Sequence, residues 1–404
     1  MSDPARPGPL AGVRVVELGQ YGAAPLAAMI LGDYGAEVVK VEPPGGDRYR
    51  SMPPVREGES LYFMGVNRNK RGVVLDLKSR AGKAALHRLL DGADVLIENF
   101  RPGVMDRLDL SIAGLLDRHP RLVACSISGY GQDGPLRDEG AYDLIVQGWS
   151  GMMAATGEAE GAPVKLVPAV PDVLAAQQAA FAVTAALRAR DATGRGQHVD
   201  VALFDVALFA HTLIYLPMLF GTGEPPRRLG SAHPEFVPNR AFRAGDGGWI
   251  SSGASDQGMW RAFCTALGRP ELADDPLFAT NRDRLANVAA LDALLDAVFA
   301  TRPRDEWMAA LRAYSVPASP ICTLAEAIDS PQARHRAMRL SQPHPTLGEV
   351  ETVGLPAKLS GTPGSLRRHA PRLGEHTREV LLEAGCSEAE IVALEAEQPV
   401  RRRE

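Results

Sequence analysis

Short β-branched runs alternate with helical segments between Val13 and Val201, and this alternation restricts the fold more than any other feature. Apolar runs with β-branched centres occupy Val13 to Leu18, Glu37 to Val41, Val73 to Leu77, Asp94 to Ile97, Leu122 to Ile127 and Gln197 to Val201. Helical patterns stand between them at Pro25 to Leu31, Ala81 to Leu90, Ile112 to Leu116 and Asp172 to Ala189. Strands that take turns with helices pair in parallel, because each crossover helix returns the chain to the same edge and covers a face of the sheet. The pattern predicts an α/β domain, and 404 residues leave room for a second one.

Composition changes at Gly221 to Pro238, which is rich in Gly, Pro and Arg and reads as a linker. Beyond it, Ala241 to Ser252 has Gly245-Asp246-Gly247-Gly248 at its centre and predicts a hairpin. Helical patterns at Gln257 to Leu267, Val288 to Ala300 and Arg304 to Ala313 complete a smaller domain over 239–340. A second linker over 341–371, loop-rich from Gly354, precedes two helices, Glu375 to Ala384 and Ser387 to Glu397, within 372–404. The first part of the large domain is 1–220.

Several function classes recede on chemistry. A net charge of -5, with one dense basic run at Arg401 to Arg403, gives nucleic acid nothing to bind. The four cysteines lie far apart, and no pair among the nine histidines has metal-ligand spacing, so neither a disulfide framework nor a metal site is expected. The turn Gly19-Gln20-Tyr21-Gly22-Ala23-Ala24 does not fit the G-x-G-x-x-G loop that cradles a dinucleotide. The apolar stretch Val199 to Phe220 contains Asp200, Asp205 and His211 and reads as a buried helix, not a membrane span. The polar, Pro-rich start lacks the pattern of a signal peptide, so a cytoplasmic location is expected. Lys78, Asn99, Asp143, Asp172 and Asp205 each stand just after an apolar run, where each could be an ordinary cap or turn; for Asp172, after Pro171, pattern alone favours an N-cap.

A series of segments decides further. It includes Gly12 to Glu17, Ala36-Glu37-Val38-Val39-Lys40-Val41-Glu42-Pro43-Pro44 with Gly46-Asp47, Asn67 to Arg71, and Leu75-Asp76-Leu77-Lys78. It continues with Asp94-Val95-Leu96-Ile97-Glu98-Asn99-Phe100-Arg101-Pro102-Gly103, Gly129 to Pro135, Thr193 to Asp200 and Leu373 to Thr377. In this order and spacing the chain resembles the class III CoA-transferases, the superfamily of formyl-CoA and carnitine CoA-transferases and the 2-methylacyl-CoA racemases. The resemblance implies a Rossmann-like large domain built from both chain ends, a smaller α+β domain and an interlocked homodimer. It implies acyl-CoA and a small carboxylic acid as partners, with CoA a substrate and no permanently bound cofactor or metal.

The resemblance also assigns residues. The nucleophilic aspartate maps to Asp172, and Leu75, Lys78, Asn99, Phe100 and Arg107 match CoA contacts. Tyr142 matches an active-site tyrosine, while Gly230 and His233 fall where a glycine loop covers the site in formyl-CoA transferases. That loop here reads Gly230-Ser231-Ala232-His233-Pro234, with one glycine left of the run. Racemases carry His at the position of Tyr142, so Ala141-Tyr142-Asp143 disfavours them. Acyl-CoA:carboxylate CoA transfer through an aspartyl-CoA thioester is the expected activity. Racemisation or epimerisation of 2-methylacyl-CoA and non-catalytic CoA binding are the alternatives. At its ordinary pKa near 4, Asp172 is expected to be ionised at neutral pH.

Overall fold

The computed structural model describes residues 7–397. Two compact units are present, and neither is one continuous stretch of chain. The larger comprises the N-terminal part up to Met152, then Lys165–Thr222, then the part from Gln332 onward. The smaller comprises Met153–Val164 and Gly223–Pro331.

The larger unit is organised by six parallel strands: β1 (Arg14–Glu17), β2 (Glu37–Glu42), β3 (Lys70–Val74), β4 (Val95–Glu98), β5 (Val123–Ser128) and β6 (His198–Ala202). They lie in the order β3-β2-β1-β4-β5-β6. Side chains alternate across the sheet, as a period of two requires. Val15, Val38 and Val95 join one core, and their neighbours Val16, Val39 and Leu96 join the other. Helices α1 (Ala23–Asp33) and α2 (Val170–Thr193) cover the first face. Arg80–Asp91 and the C-terminal helices Thr377–Glu383 and Glu388–Glu397 cover the second. The Val74 N–H donates to Thr377 Oγ1 and the Asn69 N–H to the Arg368 carbonyl, which ties the C-terminal part to β3.

Helix α2 is long and apolar enough to cross a membrane by length and composition alone. Its face of Ala175, Ala176, Ala179, Ala180, Val183, Ala186 and Leu187 is buried at helical spacing in the first core. That is the pattern of a core helix.

Four expectations change. The third strand is Lys70–Val74, earlier than Val73 to Leu77, because the fully buried Lys70 is stabilised by an ion pair with Glu17 that an apolar pattern does not reveal. The apolar stretch after β6 is two helices, Leu203–Phe209 and Tyr215–Thr222, with Pro217 in the first turn of the second. Proline is tolerated there but not inside one continuous helix. Leu203 and Ala207 are buried, but Phe209, Leu213 and Phe220 are 74%, 90% and 79% exposed, so only the start of this stretch is buried within the chain. Residues 339–353, placed in the smaller domain's end and the second linker, instead form a hairpin of Arg339–His344 with Gly348–Val353 in the larger unit. Arg68 anchors it, donating to Thr352 Oγ1 and the Val353 carbonyl while paired with Asp33. Residues 153–164 belong to the smaller unit, where Arg228 donates to the carbonyls of Ala154, Glu158 and Gly161.

The smaller unit has an antiparallel three-stranded sheet, with Trp249–Gly253 between Asn239–Arg243 and Ala318–Pro320. Helices Gln257–Ala266, Val288–Phe299 and Arg304–Ala313 pack an aromatic core with it. The predicted hairpin turns at Ala244 to Gly248, where the Ala244 N–H donates to the Gly248 carbonyl, the Gly247 N–H to the Ala244 carbonyl and the Gly248 N–H to Asp246 Oδ1.

Candidate active site

The strand order reverses direction between β1 and β4: the chain after β1 builds outward to β2 and β3, and after β4 to β5 and β6. In an open sheet of this kind a ligand is expected at such a reversal, beyond the carboxyl ends of the two strands, where the loops after β1 and β4 part. Two hydrogen bonds join these loops. The Gln20 N–H donates to Asn99 Oδ1 at 2.9 Å, and Asn99 Nδ2 returns a bond to the Gln20 carbonyl at 2.8 Å. Tyr21 follows in a left-handed conformation, φ 63°, its N–H held by Asp47 Oδ1 at 3.2 Å. Such a backbone costs on the order of 1 kcal/mol outside glycine and persists where its surroundings fix it.

Helix α1 starts immediately beyond, at Ala23. Its small buried residues Ala23, Ala24, Ala27 and Ala28 face the alanines of α2, so the two helices approach closely and their N-terminal ends meet. Asp172 stands in the first turn of α2. It does not cap that helix, because the cap position is Ala169 and no side chain bonds there. A Cβ on Gly22 would lie 3.2 Å from Asp172 Oδ2, so glycine is what allows the carboxylate this close to α1.

The Asp172 carboxylate forms no hydrogen bond or ion pair with the described residues. Burial, then the charge of Asp143, pushes it up to about 6, well above the ordinary value expected from sequence. Desolvation raises a carboxylate by disfavouring its charged form, and a second carboxylate adds repulsion. The group is still mainly ionised at neutral pH and is more basic than a free aspartate. Asp143 opens the Asp143–Trp149 helix; Gln147 Nε2 donates to its Oδ1 at 2.7 Å. Burial also raises Asp143, against the pull of Gln147, Lys165 and the Asp172 backbone amide.

A buried ionic network supports the loops from below. Lys40 Nζ contacts Glu17 Oε1 at 2.9 Å, Asp47 Oδ2 at 2.9 Å and the Gly19 carbonyl at 2.7 Å. Lys70 contacts the other Glu17 oxygen at 2.7 Å and the Pro25 carbonyl at 2.8 Å. Burial pulls both lysines down. For Lys40 the carboxylates Glu17, Asp47 and Glu42 overcome this and raise it, whereas Lys70, facing Lys40 as well as Glu17, falls to about 8. Asp47 Oδ1 also accepts the Tyr49 N–H at 2.9 Å, and the Tyr49 hydroxyl lies near Asp172 and Gly22.

The other candidates divide clearly. Asn99 serves as the staple between the loops after β1 and β4, and Phe100 follows it, its N–H bonded to Glu98 Oε2. Arg107 ends a short helix, its Nη1 3.3 Å from where a Cβ of Gly103 would stand, with no ion pair among the described residues. Lys78 is exposed after β3. Leu75 is fully buried in the second core and its N–H donates to the Glu42 carbonyl, so the structure makes it a packing residue. Tyr142 precedes Asp143 and is 62% exposed. Gly230 and His233 belong to the smaller unit. There His233 Nδ1 accepts the N–H groups of Glu235 and Phe236, and Gly230 adopts φ 60° beside Glu158.

Sequence reasoning missed Gly22, Tyr21, Tyr49 and the roles of Glu17, Lys40 and Asp47. Lys40 carried a signal, a lone cation within the buried run Glu37–Glu42. Tyr49 carried none, since only folding brings it near Asp172.

The family model described as CoA-transferase family III matches residues 10–377. The chain is 38% identical to the acetyl-CoA:oxalate CoA-transferase of Acetobacter aceti, covering 96% of this chain and 98% of that protein. It is also 38% identical to the succinate–glutarate CoA-transferase of Agrobacterium fabrum, covering 94% and 96%. The crystal structure of a CAIB/BAIF family protein from Brucella suis superposes with a TM-score of 0.84 at 35% identity, covering 94% of this chain and all of that one. The chain therefore belongs to CoA-transferase family III, and it is a CoA-transferase.

Proposed function

We propose that this chain moves CoA from an acyl-CoA to a small organic acid through covalent adducts on Asp172. The observation that carries the reading is the Asp172 carboxylate itself: largely desolvated, unpartnered among the described residues and set against Gly22 in the loop after β1, at the reversal of the sheet. In the first step it attacks the thioester carbonyl; the C–S bond breaks, leaving a mixed anhydride and CoA thiolate. The thiolate then attacks the aspartyl carbonyl, the donor acid leaves as its carboxylate, and an aspartyl-CoA thioester remains. The acceptor carboxylate reverses the sequence, so the energy of the thioester is retained. This is nucleophilic catalysis that splits one hard step into easier ones.

CoA is a substrate in this reading. Lys78, Asn99, Phe100 and Arg107 lie after β3 and β4 near the carboxyl edge of the sheet, as does the buried Leu75. The cations suit phosphate. Tyr142 would line the acyl side. The names of the two relatives support small mono- and dicarboxylic acids as donors and acceptors. An interlocked homodimer belongs to the proposal, supported by the exposed Phe181, Phe209, Leu213 and Phe220. A monomeric mass by sedimentation would remove it.

The deciding experiment exposes the protein briefly to succinyl-CoA or acetyl-CoA, adds hydroxylamine and maps the peptides. A hydroxamate on Asp172, and loss of both adduct and transfer in Asp172→Ala, is the expected result. Full transfer by Asp172→Ala sinks the mechanism. Solvent deuterium at the acyl α-carbon with no adduct would favour the racemase reading.

A further inference from the structure

We propose that the Tyr49 hydroxyl is the side-chain hydrogen-bond donor to the Asp172 acyl oxygen in the covalent intermediates. The inference rests on Asp172 as nucleophile and adds a catalytic residue to that site.

Tyr49 Oη and Asp172 Oδ2 lie 3.5 Å and 3.2 Å from one point, the place a Cβ on Gly22 would occupy. The tyrosine is braced on several sides. Its ring meets Tyr21 edge-on at 5.4 Å and Tyr62 at 5.7 Å, and its backbone N–H is held by Asp47, itself paired with the buried Lys40. Yet its hydroxyl has no hydrogen bond to any described residue. The neighbouring phenol differs, since Tyr21 Oη accepts a bond from Arg48. A fixed ring that carries a polar group without a protein partner, beside the nucleophile, is arranged to meet a bound group.

The protonation state suits a donor. Burial, then the charges of Asp172 and Asp47, pushes the Tyr49 phenol up to about 12, so it keeps its proton at neutral pH. When thiolate attacks the aspartyl carbonyl, the C–S bond forms and the carbonyl π electrons move onto oxygen. The Tyr49 O–H bonds to that oxyanion without transferring its proton. As the tetrahedral species collapses, the electrons return and the donor acid leaves with the electrons of its C–O bond. A donor aimed at charge that appears only in the transition state raises kcat more than it lowers KM.

The test compares full-length wild type with Tyr49→Phe, which keeps the ring and its packing. Removing a donor of this kind lowers kcat by roughly 100- to 1,000-fold, with KM for the acyl-CoA within about twofold. Quenched-flow peptide mapping should show the Asp172 thioester forming more slowly by the same factor, at an unchanged melting temperature. An unchanged kcat overturns the assignment, and so does a raised KM at constant kcat, which would mark a binding role. A fall in melting temperature that accounts for the lost activity also overturns it. If wild type forms no Asp172 adduct, the nucleophile reading fails instead; normal adduct chemistry in Tyr49→Phe removes the tyrosine alone.

Discussion

The core beneath the candidate site and the core of the smaller unit are built from opposite materials. Under the site three carboxylates, Glu17, Glu42 and Asp47, face three cations, Lys40, Lys70 and Arg50, all but Arg50 essentially inaccessible. In the smaller unit Phe242 stacks on Phe299 at 4.3 Å, and Phe263, Trp260 and Trp307 surround them. Its buried cation Arg284 lies over the Trp260 ring and donates to the Val237 and Phe278 carbonyls. A buried charge is costly unless each partner holds its place, so the first core fixes loops with directional bonds. An aromatic core is bound by area and tolerates exchange of shape. The charges lie where a strained Tyr21 and a desolvated Asp172 must be held; the rings lie where packing suffices.

This contrast can be broken most strongly at Lys40. Lys40→Met leaves Glu17 and Asp47 buried without their shared cation and should cost about 3–5 kcal/mol. Urea unfolding would measure it, and a loss below 1 kcal/mol would mean that the network is not held by charge. Asp172→Asn should act in the other direction, stabilising by on the order of 2 kcal/mol at pH 7 to 8. The native carboxyl, raised to about 6, holds its proton longer than the unfolded chain does. Stability is therefore complete below the ordinary value and is lost as pH rises through about 6, a loss that asparagine avoids. The gain should vanish below about pH 4; a gain independent of pH would refute the cause. In wild type the same group predicts that CoA transfer declines as pH falls through about 6. The smallest effect is expected in the aromatic core, where Phe299→Leu should cost about 1 kcal/mol by the same unfolding assay. A cost equal to that of Lys40→Met would erase the distinction between the cores.

Much of the sheet was legible in sequence because its strands are apolar runs bounded by turns. Five of the six expected positions overlap the observed strands almost throughout, and the sixth was displaced by Lys70, whose polarity hid it. The Arg339–His344 and Gly348–Val353 hairpin went unread because polar residues alternate along it and Pro343 interrupts it. Asp172 was legible through the resemblance alone, since a lone aspartate near a helix start reads first as a cap. Its raised pKa was not legible: it comes from burial and from Asp143, 29 positions away in the chain.

By itself the sequence determined the alternation of strand and helix, the small residues that let α1 and α2 touch, and the family to which the motifs point. These are local or linear properties, readable wherever period and order suffice. Tertiary structure decided which groups meet: Gly22 with Asp172, Asn99 with Gln20, Lys40 with Glu17 and Asp47, and Tyr49 with the nucleophile. Desolvation, ion pairing and the direction of a hydroxyl depend on distances between segments far apart in the chain. Those distances exist only once the sheet has formed its order and its loops have closed over one edge.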